Sequence, residues 1–167
     1  MRIAVAGGTG LVGRMVVDEA RAAGHEVSAL SRSGGVDVLT GAGLAEALAG
    51  VATVIDVTNT ATLSTEGSVA FFGAATEHLL AAEAAAGVGH HVVLSIVGID
   101  ALDTGYYAGK LRQEQLVAAG PVPWTVLRAT QFHEFAQQVL RWTSGPVIPV
   151  PRMLTAPVAA QIGRAHV

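Results

Sequence analysis

Gly7-Gly8-Thr9-Gly10-Leu11-Val12-Gly13 decides how this chain is read. The stretch lies between a short apolar run, Ile3-Ala4-Val5-Ala6, and a helical pattern from Leu11 to Ala23 that Gly24 closes. It fits G-x-G-x-x-G on Gly8, Gly10 and Gly13, and G-x-x-G-x-x-G on Gly7, Gly10 and Gly13. A strand that turns sharply into a helix leaves no room for side chains there. Nor does a backbone that must come close to a pyrophosphate. The start of the helix adds free N–H groups and a partial positive charge for the anion. Alone the motif is weak; its weight comes from following a strand and opening a helix.

Outward from this loop, apolar runs alternate with helical patterns. Glu26 to Leu30 reads as a second strand, Val36 to Leu39 as a weak third, and Thr53 to Val57 as a fourth. Between the last two, Leu44 to Leu48 reads as a short helix. A long Ala-rich helix is expected from about Ser68 to Ala86, ended by Gly87. His91 to Val97 is a fifth strand, Tyr106 to Ala119 a helix, Trp124 to Leu127 a sixth strand, and Phe132 to Trp142 a further helix. Strands alternating with helices predict βαβ units and a parallel sheet. Near-continuous apolar strands fit a sheet covered on both faces.

Composition narrows the function classes. The chain has 167 residues, which is one domain. It has no cysteine, which excludes a disulfide framework, a thiolate nucleophile and cysteine-ligated metal. Lys+Arg is 10 against Asp+Glu 13, so no basic footprint for nucleic acid is present. The most apolar stretch, His78 to Leu102, is broken by Glu83, His90, His91 and Asp100, which argues against a membrane span. The six histidines form no His-x-x-x-His or His-Glu-x-x-His pattern, so no metal site is expected. A soluble, cytoplasmic setting is the default expectation.

The end of the second strand bears on which nicotinamide cofactor fits. A site that selects NAD wants a carboxylate there for the ribose 2′-OH. This chain has Ser31-Arg32-Ser33 instead. Arg32 can pair with a 2′-phosphate and the two serines can donate to it. The expected cofactor is therefore NADP, with NAD as the alternative.

A second constellation follows the fifth strand. Leu94-Ser95-Ile96-Val97-Gly98 places Ser95 at the carboxyl edge of the sheet, where open α/β folds bind ligands. Tyr106-Tyr107-Ala108-Gly109-Lys110 then puts Tyr106 and Lys110 four apart on one helix face. A lysine ammonium beside a phenol lowers its pKa and makes it a usable acid or base. Ser95 can polarise the same substrate oxygen. Tyr107 is one position off the Lys110 face and ranks second. Gly109 costs the helix about 1 kcal/mol against alanine, which implies close packing at that point.

With these pieces in hand, the chain resembles the atypical short-chain dehydrogenase/reductases, in particular the NmrA-like and NAD(P)H-binding reductases. The resemblance is carried by Gly7 to Gly13, Leu94 to Gly98, Tyr106 to Lys110, and Trp124-Thr125-Val126-Leu127-Arg128-Ala129-Thr130-Gln131-Phe132. It implies a Rossmann-like doubly wound parallel sheet in three layers, α/β/α, lacking its last elements. It implies dinucleotide binding at Gly7, Gly8, Thr9, Gly10, Leu11, Val12 and Gly13, with Ser31, Arg32 and Ser33 at the adenosine end. In the family the loop after the fourth strand runs past the cofactor, which makes Thr58 and Asn59 candidate contacts. It implies hydride transfer to a small-molecule substrate, a carbonyl, alcohol or quinone, served by Ser95, Tyr106 and Lys110. The family's usual aspartate after the third strand is replaced here by Thr40-Gly41-Ala42-Gly43. NmrA-like relatives that lose the tyrosine act as cofactor sensors with protein partners, and that is the competing expectation.

The family also runs on beyond this length. Gln161 to Val167 can be written CAG ATC GGA AGA GCA CAC GTC, which from its second base matches the start of a common short-read sequencing adapter. Residues 1–161 are therefore expected to be one incomplete NAD(P)-binding domain, and 162–167 a non-native tail. Such a shortened sheet is expected to leave apolar surface around Val147 to Val150 without its partners.

Overall fold

The computed structural model describes residues 1–130 and Phe132. The expected helix from Phe132 to Trp142, apart from Phe132 itself, the apolar run at Val147 and the tail from Ile162 lie outside the described residues. Among the described residues, five parallel strands form one sheet: β1 (Arg2–Ala6), β2 (Glu26–Leu30), β3 (Thr53–Asp56), β4 (His90–Ile96) and β5 (Trp124–Ala129), in the order 2-1-3-4-5. β1 pairs on both sides, Val5 with Ala29 of β2 and with Ile55 of β3. Its last four residues are all buried, as a strand covered on both faces requires.

Among the described residues, four α-helices flank the sheet: α1 (Leu11–Ala22), α2 (Leu44–Ala47), α3 (Thr65–Ala86) and α4 (Gly105–Ala119). Alternate residues of β1 face opposite ways. Ile3 and Val5 pack with Val17 of α1 and Val27 of β2. Ala4 and Ala6 pack on the other face with Leu44, Leu48, Val54 and Leu79. Leu80, Val93 and Val117 extend that second layer beneath α3 and α4. The result is the expected Rossmann-like three-layer α/β/α sheet. Among the described residues, no helix is long and apolar enough to cross a membrane.

Val36 to Leu39 does not form the third strand read from the sequence. Local turns take its backbone hydrogen bonds instead. The Asp37 carboxylate accepts from Leu39 N at 2.9 Å, and Asp37 exchanges backbone bonds with Gly41 and Ala42. Val36 still reaches the core, from a loop. α3 starts at Thr65, earlier than expected, because Ser64 Oγ caps Gly67 N at 3.1 Å and Glu66 sits in the first turn.

Candidate functional site

The strand order reverses between β1 and β3, and the loops after these two strands meet there. Gly7 leaves β1 at φ +77°, and a Cβ on it would stand 2.8 Å from Val57 O. Only glycine takes that bend beside that carbonyl without strain. Gly13, in the first turn of α1, passes so close beneath the loop that a Cβ would lie 2.1 Å from Gly7 O. Thr9, Gly10 and Leu11 are exposed and Val12 is half-buried, at the mouth of the bend. Gly10 stands at the N-cap of α1, which has no side-chain cap and no acidic residue in its first turn. Its first amides are thus free to bind an anion. The cradle fits a dinucleotide's diphosphate.

At the end of β2, the serines are engaged in a turn. Ser31 Oγ caps Gly34 N at 3.2 Å and lies 3.1 Å from Ser33 Oγ. Arg32 projects from this turn, is exposed, and has no ion-pair partner among the described residues. Its guanidinium is available to a phosphate.

The other side of the switch point carries the hydroxyl groups. Ser95 on β4 is 3% exposed and Thr58, after β3, is 7% exposed; neither hydroxyl has a hydrogen-bond partner among the described residues. Thr76 Oγ1 and His91 Nε2 are buried in the same way without a described partner, so what sets Ser95 and Thr58 apart is their place at the end of β4 and in the loop after β3. Exposed Asn59 accepts the Tyr106 hydroxyl proton on Oδ1 at 2.8 Å. The Tyr106 ring stands edge-on to Phe72, with centroids 5.5 Å apart, and edge-on to Tyr107 at 6.1 Å.

Lys110 departs from the sequence expectation. Its Nζ turns inward and donates to Leu94 O at 2.6 Å and to Gln113 Oε1, and it lies 4.8 Å from the Phe72 ring centroid. Its hydrogen bonds do not go to Tyr106. The expected lowering of the Tyr106 phenol therefore does not follow from this geometry. Burial pushes the phenol above its ordinary value, and Tyr107 and Asp56 push the same way. Burial lowers Lys110 to about 8, against the opposing pull of Asp56 and Glu114. The sharing of one helix face does hold: both side chains touch Phe72.

Three further parts of the site escaped sequence reading. Asp56 is fully buried; its carboxylate accepts from Thr58 N at 2.8 Å and from Gln113 Nε2 at 2.7 Å. The position of Gln113 one turn from Lys110 was the available signal. Arg128 donates to Glu114 at 3.1 and 2.6 Å and to Asp100 at 2.5 and 2.9 Å. This ties the turn after β4 to α4 and β5, and holds the Asp100 carboxyl below its ordinary range. Away from the site, Glu83 of α3 and His91 of β4 are fully buried and 2.8 Å apart.

Residues 7–146 match the NAD(P)H-binding protein family. A curated relative from Streptomyces griseus, (4-alkanoyl-5-oxo-2,5-dihydrofuran-3-yl)methyl phosphate reductase, is 35% identical over 158 residues, covering 86% of this chain and 51% of the relative. A short-chain dehydrogenase/reductase superfamily protein from Agrobacterium tumefaciens, solved with bound NAD, superposes with TM-score 0.67 at 26% identity. That match covers 80% of this chain and 50% of the other. Triphenylmethane reductase from Citrobacter sp., solved with NADP(H), has the same fold: TM-score 0.63, 19% identity, 81% of this chain and 52% of that one. The chain spans about half the length of these relatives.

Proposed function

The chain belongs to the NAD(P)H-binding family, and on that premise we propose that it is the nucleotide-binding part of an NADP-dependent reductase for a small carbonyl or quinone. The reading is supported by the glycine cradle packing against Val57 and Thr58, by the Tyr106–Asn59 hydrogen bond beside them, and by the position of Ser95 near the carboxyl end of the neighbouring strand β4. Gly7 to Gly13 would hold the diphosphate and Arg32 a 2′-phosphate. The nicotinamide, when bound, would supply the hydride that reduces the substrate. Tyr106 gives its hydroxyl proton to the substrate oxygen, and the phenolate is reprotonated from solvent. Ser95 donates to the same oxygen and so completes its own bonding. Lys110 acts from within, as a buried charge behind the tyrosine.

The test is NADPH oxidation with a panel of quinones, aldehydes and ketones, including the furanone phosphate named for the Streptomyces griseus relative. Tyr106→Phe is expected to lose turnover by about 10²-fold or more while keeping NADPH binding. Unchanged turnover would remove Tyr106 from the mechanism. A second reading, a sensor that binds the nucleotide without turnover, is favoured by the hydrogen bond from Tyr106 to Asn59 and the inward turn of Lys110. Tight NADPH binding with no oxidation on any substrate would select it.

A further inference from the structure

Lys110 is the only lysine in the 167-residue sequence, and it is 4% exposed. An ammonium can only donate, and an ionised carboxylate can only accept. Lys110 and Asp56 are both buried, yet no direct ion pair joins them. The Gln113 amide stands between: its oxygen takes the Lys110 proton and its nitrogen donates to Asp56 Oδ2 at 2.7 Å. The two partners fix which way the amide points. A methionine here would leave both buried charges without that bond, and a glutamate would set a second carboxylate beside Asp56.

The bridge reaches further. Asp56 Oδ1 holds Thr58 N at 2.8 Å, next to Asn59, which holds the Tyr106 hydroxyl. At the other end Lys110 holds Leu94 O at 2.6 Å, next to Ser95. All three residues assigned to hydride transfer therefore border one hydrogen-bonded chain, and Gln113 is its middle link. We propose that Gln113 is a positioning residue that joins Lys110 to Asp56 and so couples the lysine to the Thr58–Asn59 loop. This rests on the hydride-transfer reading of Lys110. The charged groups facing the lysine are Asp56 from β3 and Glu114 on its own helix. Asp56 also acts on the Glu83–His91 pair, raising both.

A single lysine makes the test clean. Protein labelled with ¹⁵N-lysine gives one Nζ signal, whose titration is followed by NMR without ligand in wild type, Gln113→Glu and Gln113→Met. The bridge predicts opposite movements. Gln113→Glu places an anion against Nζ and raises the midpoint by about one pH unit or more; Gln113→Met removes an acceptor and lowers it. A midpoint unmoved in both, or moved the same way in both, overturns the proposal. Should Gln113→Met fail to fold, a midpoint in Gln113→Glu that does not rise overturns it alone. The pH profile of kcat for NADPH oxidation is expected to move with the NMR midpoint in each variant; a profile that stays put while the midpoint shifts removes the coupling to the site. If no variant, wild type included, turns over NADPH but the midpoints move apart, the bridge stands and the hydride-transfer reading falls. If turnover persists and the midpoints do not move, the reverse holds.

Discussion

Gly109→Ala places two effects of opposite sign in competition at the crossing of α3 and α4. In an open helix the change adds about 1 kcal/mol of stability through helix propensity. Here a Cβ would stand 2.5 Å from Ser68 O, 2.6 Å from Ser68 C and 2.7 Å from Phe72 Cδ2. Two of those atoms are backbone, so no rotamer change clears them. The helices must part by roughly 1 Å, and overpacking of this kind costs about 1–3 kcal/mol. The same movement stretches the 2.6 Å hydrogen bond from Ser68 Oγ to Gly105 O, worth about 1 kcal/mol. Overpacking wins, and the expected net loss is about 1–3 kcal/mol. Urea denaturation reads it as a lower midpoint with an unchanged slope. Gly73→Ala is the matched control: Gly73 lies within α3, and its Cβ would meet nothing within 4 Å. That variant is expected to hold or gain stability. A Gly109→Ala protein as stable as wild type, or a Gly73→Ala protein equally damaged, would refute the close-crossing argument.

Gly13→Ala drives a Cβ to 2.1 Å from Gly7 O and opens the cradle; NADPH affinity by calorimetry should fall about tenfold or more, and full affinity would show that the loop is not the diphosphate site. Arg32→Ala should weaken NADPH by about tenfold or more and leave NADH unchanged, since a charge-assisted bond is worth about 1.5–3 kcal/mol; equal losses for both nucleotides would sink the 2′-phosphate assignment. Burial raises Glu83 above its ordinary 4.5. Burial alone would lower His91, but the Glu83 hydrogen bond and charge outweigh it and hold His91 above 6.5. The folded state thus keeps protons that the unfolded chain releases, so the pair's contribution is full below about pH 4.5 and declines as pH rises through the two raised values. Glu83→Gln removes one raised carboxyl and leaves His91 mainly to burial, which lowers it, so the variant should flatten that decline in denaturation midpoints taken from pH 5 to 8; an identical slope in the variant would contradict it.

Much of the architecture was legible because it depends on local pattern. The glycine bend, the apolar strands and the small residue at Gly109 each state a steric need in the residues themselves. The false strand at Val36 to Leu39 shows the limit: its apolar residues are core residues, but Asp37 and the glycines at 41 and 43 supply turn bonds that outcompete a ladder. Within the candidate site, Ser95 stands near the end of β4 and Tyr106 and Lys110 share α4, as the sequence pattern implies. The pattern missed where the Lys110 ammonium points, because that is decided by Asp56 and Gln113, which are 57 residues apart in sequence. A spacing rule on one helix cannot see a partner on a distant strand.

The two groups that would handle the proton are thus held by neutral amides, Tyr106 by Asn59 and Lys110 by Gln113. Amides do not titrate, so this positioning survives changes of pH that alter the charges themselves. The phenol is held in its protonated form by burial, and the lysine's charge is weakened by the same cause. A protonated phenol is a donor and a poor base. Under the hydride-transfer reading this leaves Tyr106 in the form that reduction needs, a phenol with a proton to give. Asn59→Ala tests that step: freed of its acceptor, Tyr106 should lose orientation, lowering kcat for NADPH oxidation by about tenfold with NADPH affinity retained. An undiminished kcat would show that the tyrosine needs no such hold.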